Sequence, residues 1–297
     1  MMLREASKQL YRFMPLKRPL FSLLRRVTSL PPQIYQHLHF EGPFTVAIDA
    51  EHEFRIQSYG TYVENEIFWR GYGGSWEASS LQVWAALCRG QTGLICDIGA
   101  NTGMYALAAA ALAPEAKVVA FEPVARMANR LRRNVDLNRG GIMVEQMAIS
   151  DHSGRVPIFD IMADHNYSAS LVGQGPDAAS YDVDGCSLDD YVARTGAQTI
   201  GPIKIDVERH EPAAIRGMLN LLTAHRPPVL IEILDADIGT EVGKLVDGLG
   251  YSMFHIAEKR GLVPTSQLAP LQGEDWNHLL CTSVDFGRAG LERFVAG

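Results

Sequence analysis

The spacing of apolar residues along this chain changes several times, and each change marks an element. In "MMLREASKQLYRFM", Leu3, Ala6, Leu10, Phe13 and Met14 recur at helical spacing, with Arg4, Lys8 and Arg12 on a neighbouring stripe. Pro15, Pro19, Pro31 and Pro32 divide the opening segment into short helices. From Phe44 to Phe68 the pattern becomes that of strands, and "FTVAID" and "FRIQSY" around "AEHE" predict a hairpin. "FWRGYGGSWE" then places three glycines among aromatic residues, a loop suited to covering a pocket.

From about Leu81 strands and helices alternate. "GLICDIG", "KVVAFEP", "IMVEQMAIS", "PIKIDV" and "PVLIEIL" read as buried strands. Helical stretches start at Tyr105 and run from Val124 to Asn138 and from Pro212 to Leu222. In the second, Val124, Met127, Leu131 and Val135 form one apolar face, and Asn138-Arg139-Gly140-Gly141 ends it. In the third, Ile215, Met218, Leu219 and Leu222 do the same, with Pro212 in the first turn. Apolar strands separated by amphipathic helices predict an α/β fold with a mostly parallel sheet covered on both faces. "YSMFHIAE" and "WNHLLCTS" predict an antiparallel pair at the sheet edge, joined by "KRGLVPTSQLAPLQGED". The organisation expected is a basic helical segment (1–40), a strand and loop cap (41–80) and an α/β domain (81–297).

Composition sharpens this in three ways. At 47% apolar and 21% charged, the 297 residues suit a globular protein with a substantial core. Of 27 basic and 34 acidic residues, the first forty hold seven and one, so the net charge of −7 splits into +6 and −13. An acidic body argues against nucleic acid as partner. The basic start suits a helical cap, with weak contact to a membrane surface through residues 1–40 as a second reading. Cys88, Cys96, Cys186 and Cys281 lack metal-ligand spacing, which predicts reduced thiols and a cytoplasmic protein. No apolar run has the length of a membrane-spanning helix, and no secretory cleavage pattern follows the N-terminus.

Ligands of such sheets bind at the carboxyl ends of the strands, near the point where strand order reverses. The strand ends offer Asp97, Gly99, Asn101, Thr102 and Gly103, then Glu122, then Met147, Ala148 and Ser150, then Asp206 and Glu208. Packing alone does not explain so many acids, since each desolvated carboxylate needs donors. "GANTG" lacks the GxGxxG spacing and has no Lys-Ser/Thr after it, so neither a dinucleotide nor a nucleoside triphosphate is well served. A ligand with a cationic group and a ribose fits better. Asp97 would lie near positive charge, glycines would let the backbone come close, and Glu122 would accept from two ribose hydroxyls. S-adenosylmethionine has both features, with an adenine to lie against Met147 and Ala148. Catalysis needs a group to take the acceptor's proton; Asp206 and Glu208 are the candidates, with His210 third. His210-Glu211 is not a zinc-protease motif, because Ala214 stands where the second histidine is needed, and no metal enters the assignment, although Asp206, Glu208 and Glu232 offer oxygen ligands of the kind that suit magnesium.

"CDIGANTG", "VVAFEP", "NVDLN", "AISDHSG", "SLDDYV" and "IKIDVERHEPAAIRGM", in that order, resemble the FkbM-type S-adenosylmethionine-dependent methyltransferases over roughly Glu66 to Glu232. "SASL" around Ser170 also matches a family element. The resemblance implies a Rossmann-like, seven-stranded class I methyltransferase fold, and methylation of a hydroxyl on a sugar, glycan or polyketide-type metabolite. By position it assigns Asp97, Gly99, Asn101 and Gly103 to the cofactor loop and Glu122 to the ribose. One departure stands out: the family's "KIDVEG" reads "KIDVER" here, bringing Arg209 and His210 to a place where small or apolar residues are usual. Arg209 therefore suggests a narrowed or charged acceptor space, or a weakened site. Two other readings are a methyltransferase-shaped binding protein without turnover and a nucleotide-dependent oxidoreductase.

Overall fold

A computed structural model describes residues 16–74, 76–160, 169–170, 179–271 and 275–296. The helix expected within residues 1–14 and the first half (172–178) of the variable stretch after "SASL" lie outside the described residues. Helices α1 (Lys17–Val27) and α2 (Pro32–Tyr35) lead into the hairpin β1 (Glu41–Ala47) and β2 (Glu53–Tyr59). Next come α3 (Tyr62–Arg70) and α4 (Ala78–Cys88). The central repeat begins with β3 (Leu94–Ile98), α5 (Met104–Leu112), β4 (Lys117–Phe121), α6 (Ala125–Leu137) and β5 (Ile142–Glu145). Four strands of a second sheet follow, β6 (Ala148–Ile149), β7 (Gly154–Asp160), β8 (Ala169–Ser170) and β9 (Ala179–Cys186), then α7 (Leu188–Thr195). The chain returns to the main sheet through β10 (Ile200–Ile205), α8 (Glu211–Arg216), α9 (Leu219–His225), β11 (Val229–Glu232) and α10 (Ala236–Val246). It closes with β12 (Ser252–Ala257), β13 (Gly261–Thr265), β14 (Asn277–Cys281), α11 (Ser283–Arg288) and a 3-10 turn, Leu291–Phe294.

The main sheet runs β13-β12-β14-β11-β10-β3-β4-β5. Strands β11, β10, β3, β4 and β5 are parallel neighbours. β14 runs against both β11 and β12, so β12 shares the direction of the parallel set. Seven strands thus match the expected sheet, with β13 added antiparallel at the edge. The expected antiparallel pairing of "YSMFHIAE" with "WNHLLCTS" is present as β12 and β14, but not at the outermost edge: that strand comes from "GLVPT", in what reads as a connector. The strand order reverses between β3 and β10, which fixes where a ligand crevice opens.

Alternation along the strands sorts side chains to two faces. Ile95, Ala120, Leu230 and Leu279 join α4, α5 and the hairpin residues Phe44, Val46, Phe54 and Ile56 in one core. Cys96, Ile98, Ile203, Ile205 and Ile231 pack with Tyr191 of α7, Ile215 of α8, Leu222 of α9 and Val242 of α10 in the other. Each fully buried Leu or Ile stabilises the fold by roughly 1.5–3 kcal/mol relative to exposure.

Two asparagines explain the "NVDLN" motif. The Asn134 Oδ1 accepts from the Gln57 N–H at 2.8 Å, while Asn138 exchanges two 2.7 Å bonds with the Arg55 backbone. Four residues apart on α6, they cap the open edge of β2. Asn134, fully buried, also donates to the Thr102 carbonyl at 2.8 Å, joining hairpin and glycine loop.

Three further expectations need correction. "IMVEQMAIS" is two strands in different sheets, separated at Gln146-Met147. The stretch from Phe44 to Phe68 is not all strand, since Tyr62–Arg70 is the helix α3. The helix expected from Pro212 to Leu222 breaks at Gly217-Met218, where a Cβ on Gly217 would stand 1.9 Å from the Ser150 carbonyl oxygen. Chain approach there excludes any side chain.

Candidate active site

The loop after β3 explains its composition through its backbone. Gly99, Asn101 and Gly103 have φ of 80°, 53° and 93°, a region open to glycine and tolerated by asparagine. At Gly99 the constraint is doubled, because a Cβ would meet the Asp206 carbonyl oxygen at 1.7 Å. The loop lies flat across the junction of β3 and β10, tied by Asp206 N–H to the Ile98 carbonyl and by Gly99 and Ala100 N–H to the Phe121 carbonyl.

Glu122, at the end of β4, is buried, and its two carboxylate oxygens accept from Asn101 N–H and Val124 N–H, each at 2.8 Å. Burial pushes its carboxyl up to about 7, against the pull of those two N–H groups. Beside it opens a cleft of about 700 Å³ whose walls include Glu122, Met147, Ala148, Ile158, Asp206 and Glu208.

Across Gly99, Asn101 and Asp206 lies a second chamber, about 540 Å³, roofed by Thr61, Glu64 and Trp76 from the cap. Asp97 and Thr102 line it. The Asp97 Oδ2 accepts from the Ala106 N–H at 2.8 Å, and burial pushes this carboxyl up to about 7 despite the nearby Lys204. Lys204 pairs in register with Asp97, so both project from the same face of the sheet. It is 1% exposed, with its Nζ 3.6 Å from Asp206 Oδ2 and 5.1 Å from the Tyr105 ring centre. Burial lowers its affinity for a proton, but Asp206, Glu77, Glu232 and Asp97 outweigh that and hold it ionised. Glu77, which takes a short hydrogen bond from the Tyr105 hydroxyl, is pushed up to about 7 by burial. Glu232 is held well above the carboxylate range by burial and by Asp206.

The structure therefore brings Gly99, Asn101, Glu122, Met147, Ala148, Asp206 and Glu208 to one cleft, and Asp97 and Thr102 to the adjoining chamber. Gly103 supports the loop from behind, packed where a Cβ would lie 2.3 Å from Leu131 Cδ1. His210 is not among the residues lining either space. Its Nε2 lies 3.0 Å from the Ser150 hydroxyl, and burial holds it below the usual histidine range. Arg209 is directed elsewhere too: its guanidinium pairs with Asp235, the N-cap of α10, and its N–H donates to Glu211 at 3.1 Å. Glu208 and Arg209 have φ of 52° and 78°, so Arg209 holds a conformation that glycine enters freely. Sequence reasoning missed Lys204, Glu64 and Glu77. A lysine inside the apolar run "PIKIDV" was the available signal for the first; the other two stand in loops and helices with no local pattern. Among the described residues no group of three or more His, Cys, Asp or Glu is placed to hold a metal ion.

A mostly parallel sheet with one reversed inner strand, helices on both faces and a crevice at the order reversal is the Rossmann-like class I methyltransferase fold. The comparisons with known proteins narrow this. The Methyltransferase FkbM domain matches residues 97–253, and the chain belongs to that family. Over 205 residues it is 27% identical to 31-O-demethyl-FK506 methyltransferase FkbM of Streptomyces tacrolimicus, covering 59% of this chain and 78% of that protein. Over 148 residues it is 30% identical to 2-O-methyltransferase NoeI of Sinorhizobium fredii, covering 45% and 60%. Among solved structures, Methyltransferase FkbM from Methylobacillus flagellatus superposes with a TM-score of 0.39 at 17% identity, over 64% of this chain and 43% of that one. The matches span less than two thirds of the NoeI and Methylobacillus chains. No helix among the described residues is long and apolar enough to cross a membrane.

Proposed function

We propose that this protein uses S-adenosylmethionine to methylate a hydroxyl oxygen of a small molecule or glycan. The observation that carries the reading is Glu122: a buried carboxylate fixed by two backbone N–H groups at the rim of an apolar-walled cleft, with lone pairs left for a ribose diol. Met147, Ala148 and Ile158 give that cleft the flat apolar wall an adenine needs. The printed names of two relatives, a 31-O and a 2-O methyltransferase, favour oxygen as acceptor.

S-adenosylmethionine supplies, when bound, a methyl group already activated by a sulfonium for in-line displacement. The chain's own task is to hold the acceptor at close range and remove its proton. Asp206 lines both spaces and Glu208 the cleft, and they are the candidate bases. His210, turned to Ser150, is not part of this proposal, and Arg209, paired with Asp235, gives no reason to read the site as inactive. Residues 41–80 act as a cap on the domain formed by 81–297.

Calorimetry with S-adenosylmethionine and S-adenosylhomocysteine tests the first half of the proposal, and binding of neither overturns it. A methyl-transfer screen over sugars and hydroxylated metabolites tests the second. With an acceptor in hand, Glu208→Gln is expected to lower kcat tenfold or more with little change in donor affinity. An unchanged kcat removes Glu208 as a base.

A further inference from the structure

The chamber beneath the cap has an unbalanced charge. Its wall carries three carboxylates, on Glu64, Asp97 and Asp206, and one ammonium, on Lys204, which already lies against Asp206. Glu64 differs from the others because it comes from the cap. It sits in the first turn of α3, three residues after the N-cap Thr61, the spacing of a capping box. Its side chain is only 2% exposed, and its Oε2 has no hydrogen-bond partner. Burial pushes its carboxyl up to about 7, opposed by the N–H groups of Glu64 and Thr61 and by the charge of Arg130. A buried carboxylate oxygen without a donor is costly, and a ligand that brings a donor recovers that cost. The chamber meets the nucleoside cleft through Gly99, Asn101 and Asp206, so one elongated ligand can occupy both.

We infer that Glu64, carried on the cap helix, is a donor-binding residue that receives the α-ammonium group of the amino-acid end of S-adenosylmethionine. The inference rests on the donor reading above and adds to it. The cap then completes the cofactor site. The ammonium supplies the donor that the Glu64 Oε2 lacks, while the α-carboxylate of the same end leaves that end without net charge.

The test compares two ligands that share the adenosine but differ at the other end. S-adenosylhomocysteine carries the ammonium, and 5′-methylthioadenosine does not. Glu64→Gln keeps the shape and removes the charge. It is expected to weaken S-adenosylhomocysteine about tenfold or more while leaving 5′-methylthioadenosine within about twofold, both read by calorimetry. Equal losses for the two ligands, or no loss for S-adenosylhomocysteine, overturn the inference. Should the variant not fold, Glu64→Asp serves instead: the carboxylate is kept but drawn back, and S-adenosylhomocysteine should weaken about threefold or more while 5′-methylthioadenosine stays within about twofold. Equal effects on the two ligands, or none, overturn the inference too. If the wild type binds neither ligand, the donor reading itself falls, an outcome distinct from a failure confined to Glu64.

Discussion

The cleft beside Glu122 and the chamber beside Lys204 share Gly99, Asn101 and Asp206, yet they settle their acids differently. In the cleft, Glu122 is held by backbone N–H groups two and twenty-one residues away, dipoles that cannot leave and carry no net charge. In the chamber, Asp97 accepts one backbone N–H, from Ala106, and otherwise shares the single ammonium of Lys204 with Asp206. Fixed dipoles suit a ligand group that is neutral and directional, such as a diol. A side-chain cation outnumbered by acids suits a ligand that is itself charged. The proposed donor, with its ribose diol and its charged end, matches both kinds of lining.

Lys204→Met breaks the comparison most severely. It leaves the facing carboxylates without their cation and is expected to cost about 3–5 kcal/mol of stability, measured by denaturant unfolding. A loss below about 1 kcal/mol means that the acids are neutral in the folded protein. Glu122→Ala acts on the cleft alone. Both S-adenosylhomocysteine and 5′-methylthioadenosine should weaken by about 1.5–3 kcal/mol, in contrast to the selective effect expected at Glu64. A selective loss at Glu122 would mean that the two halves are wrongly assigned.

The pH dependence sharpens the same contrast. Asp97 and Glu122 take up protons near 7 in the folded state, against ordinary values of 3.8 and 4.5. The folded protein binds more protons between those limits, so these groups stabilise it fully below about 4 and that contribution is lost as pH rises through 7. Ligand-free thermal midpoints should fall across this window, and S-adenosylmethionine should reduce the fall because a cation favours the ionised acids. A ligand that leaves the slope unchanged counts against the charge argument. Arg209→Gly has the smallest expected effect. It relieves a left-handed arginine, worth about 1–2 kcal/mol, and loses a partly exposed ion pair worth about 0–1 kcal/mol. Donor affinity should stay within about twofold, since the guanidinium points to Asp235.

Much of this was legible in local sequence. The β3 loop, the acids at the strand ends, the hairpin and the buried stripe of α6 all follow from patterns a few residues long, and Val124, Met127, Leu131 and Val135 are all buried as their spacing requires. What sequence reasoning missed depends on encounters between distant segments. Nothing within "IMVEQMAIS" signals that the chain leaves one sheet for another. The break at Gly217 is imposed by the Ser150 carbonyl, sixty-seven residues earlier. Lys204 reads as an anomaly in an apolar strand until β3, β11 and the loop before α4 supply its acids. His210, the third candidate base, has its Nε2 3.0 Å from the Ser150 hydroxyl, sixty residues earlier, a partner that no local pattern announces.

The amide of Asn134 reaches two places at once, the Gln57 N–H on the outer hairpin and the Thr102 carbonyl beside the glycine loop. Whatever steadies or displaces Thr102 is thus transmitted to a peripheral strand without passing through the central sheet. Solvent exchange of the Gln57 amide proton becomes a remote gauge of occupancy at the glycine loop.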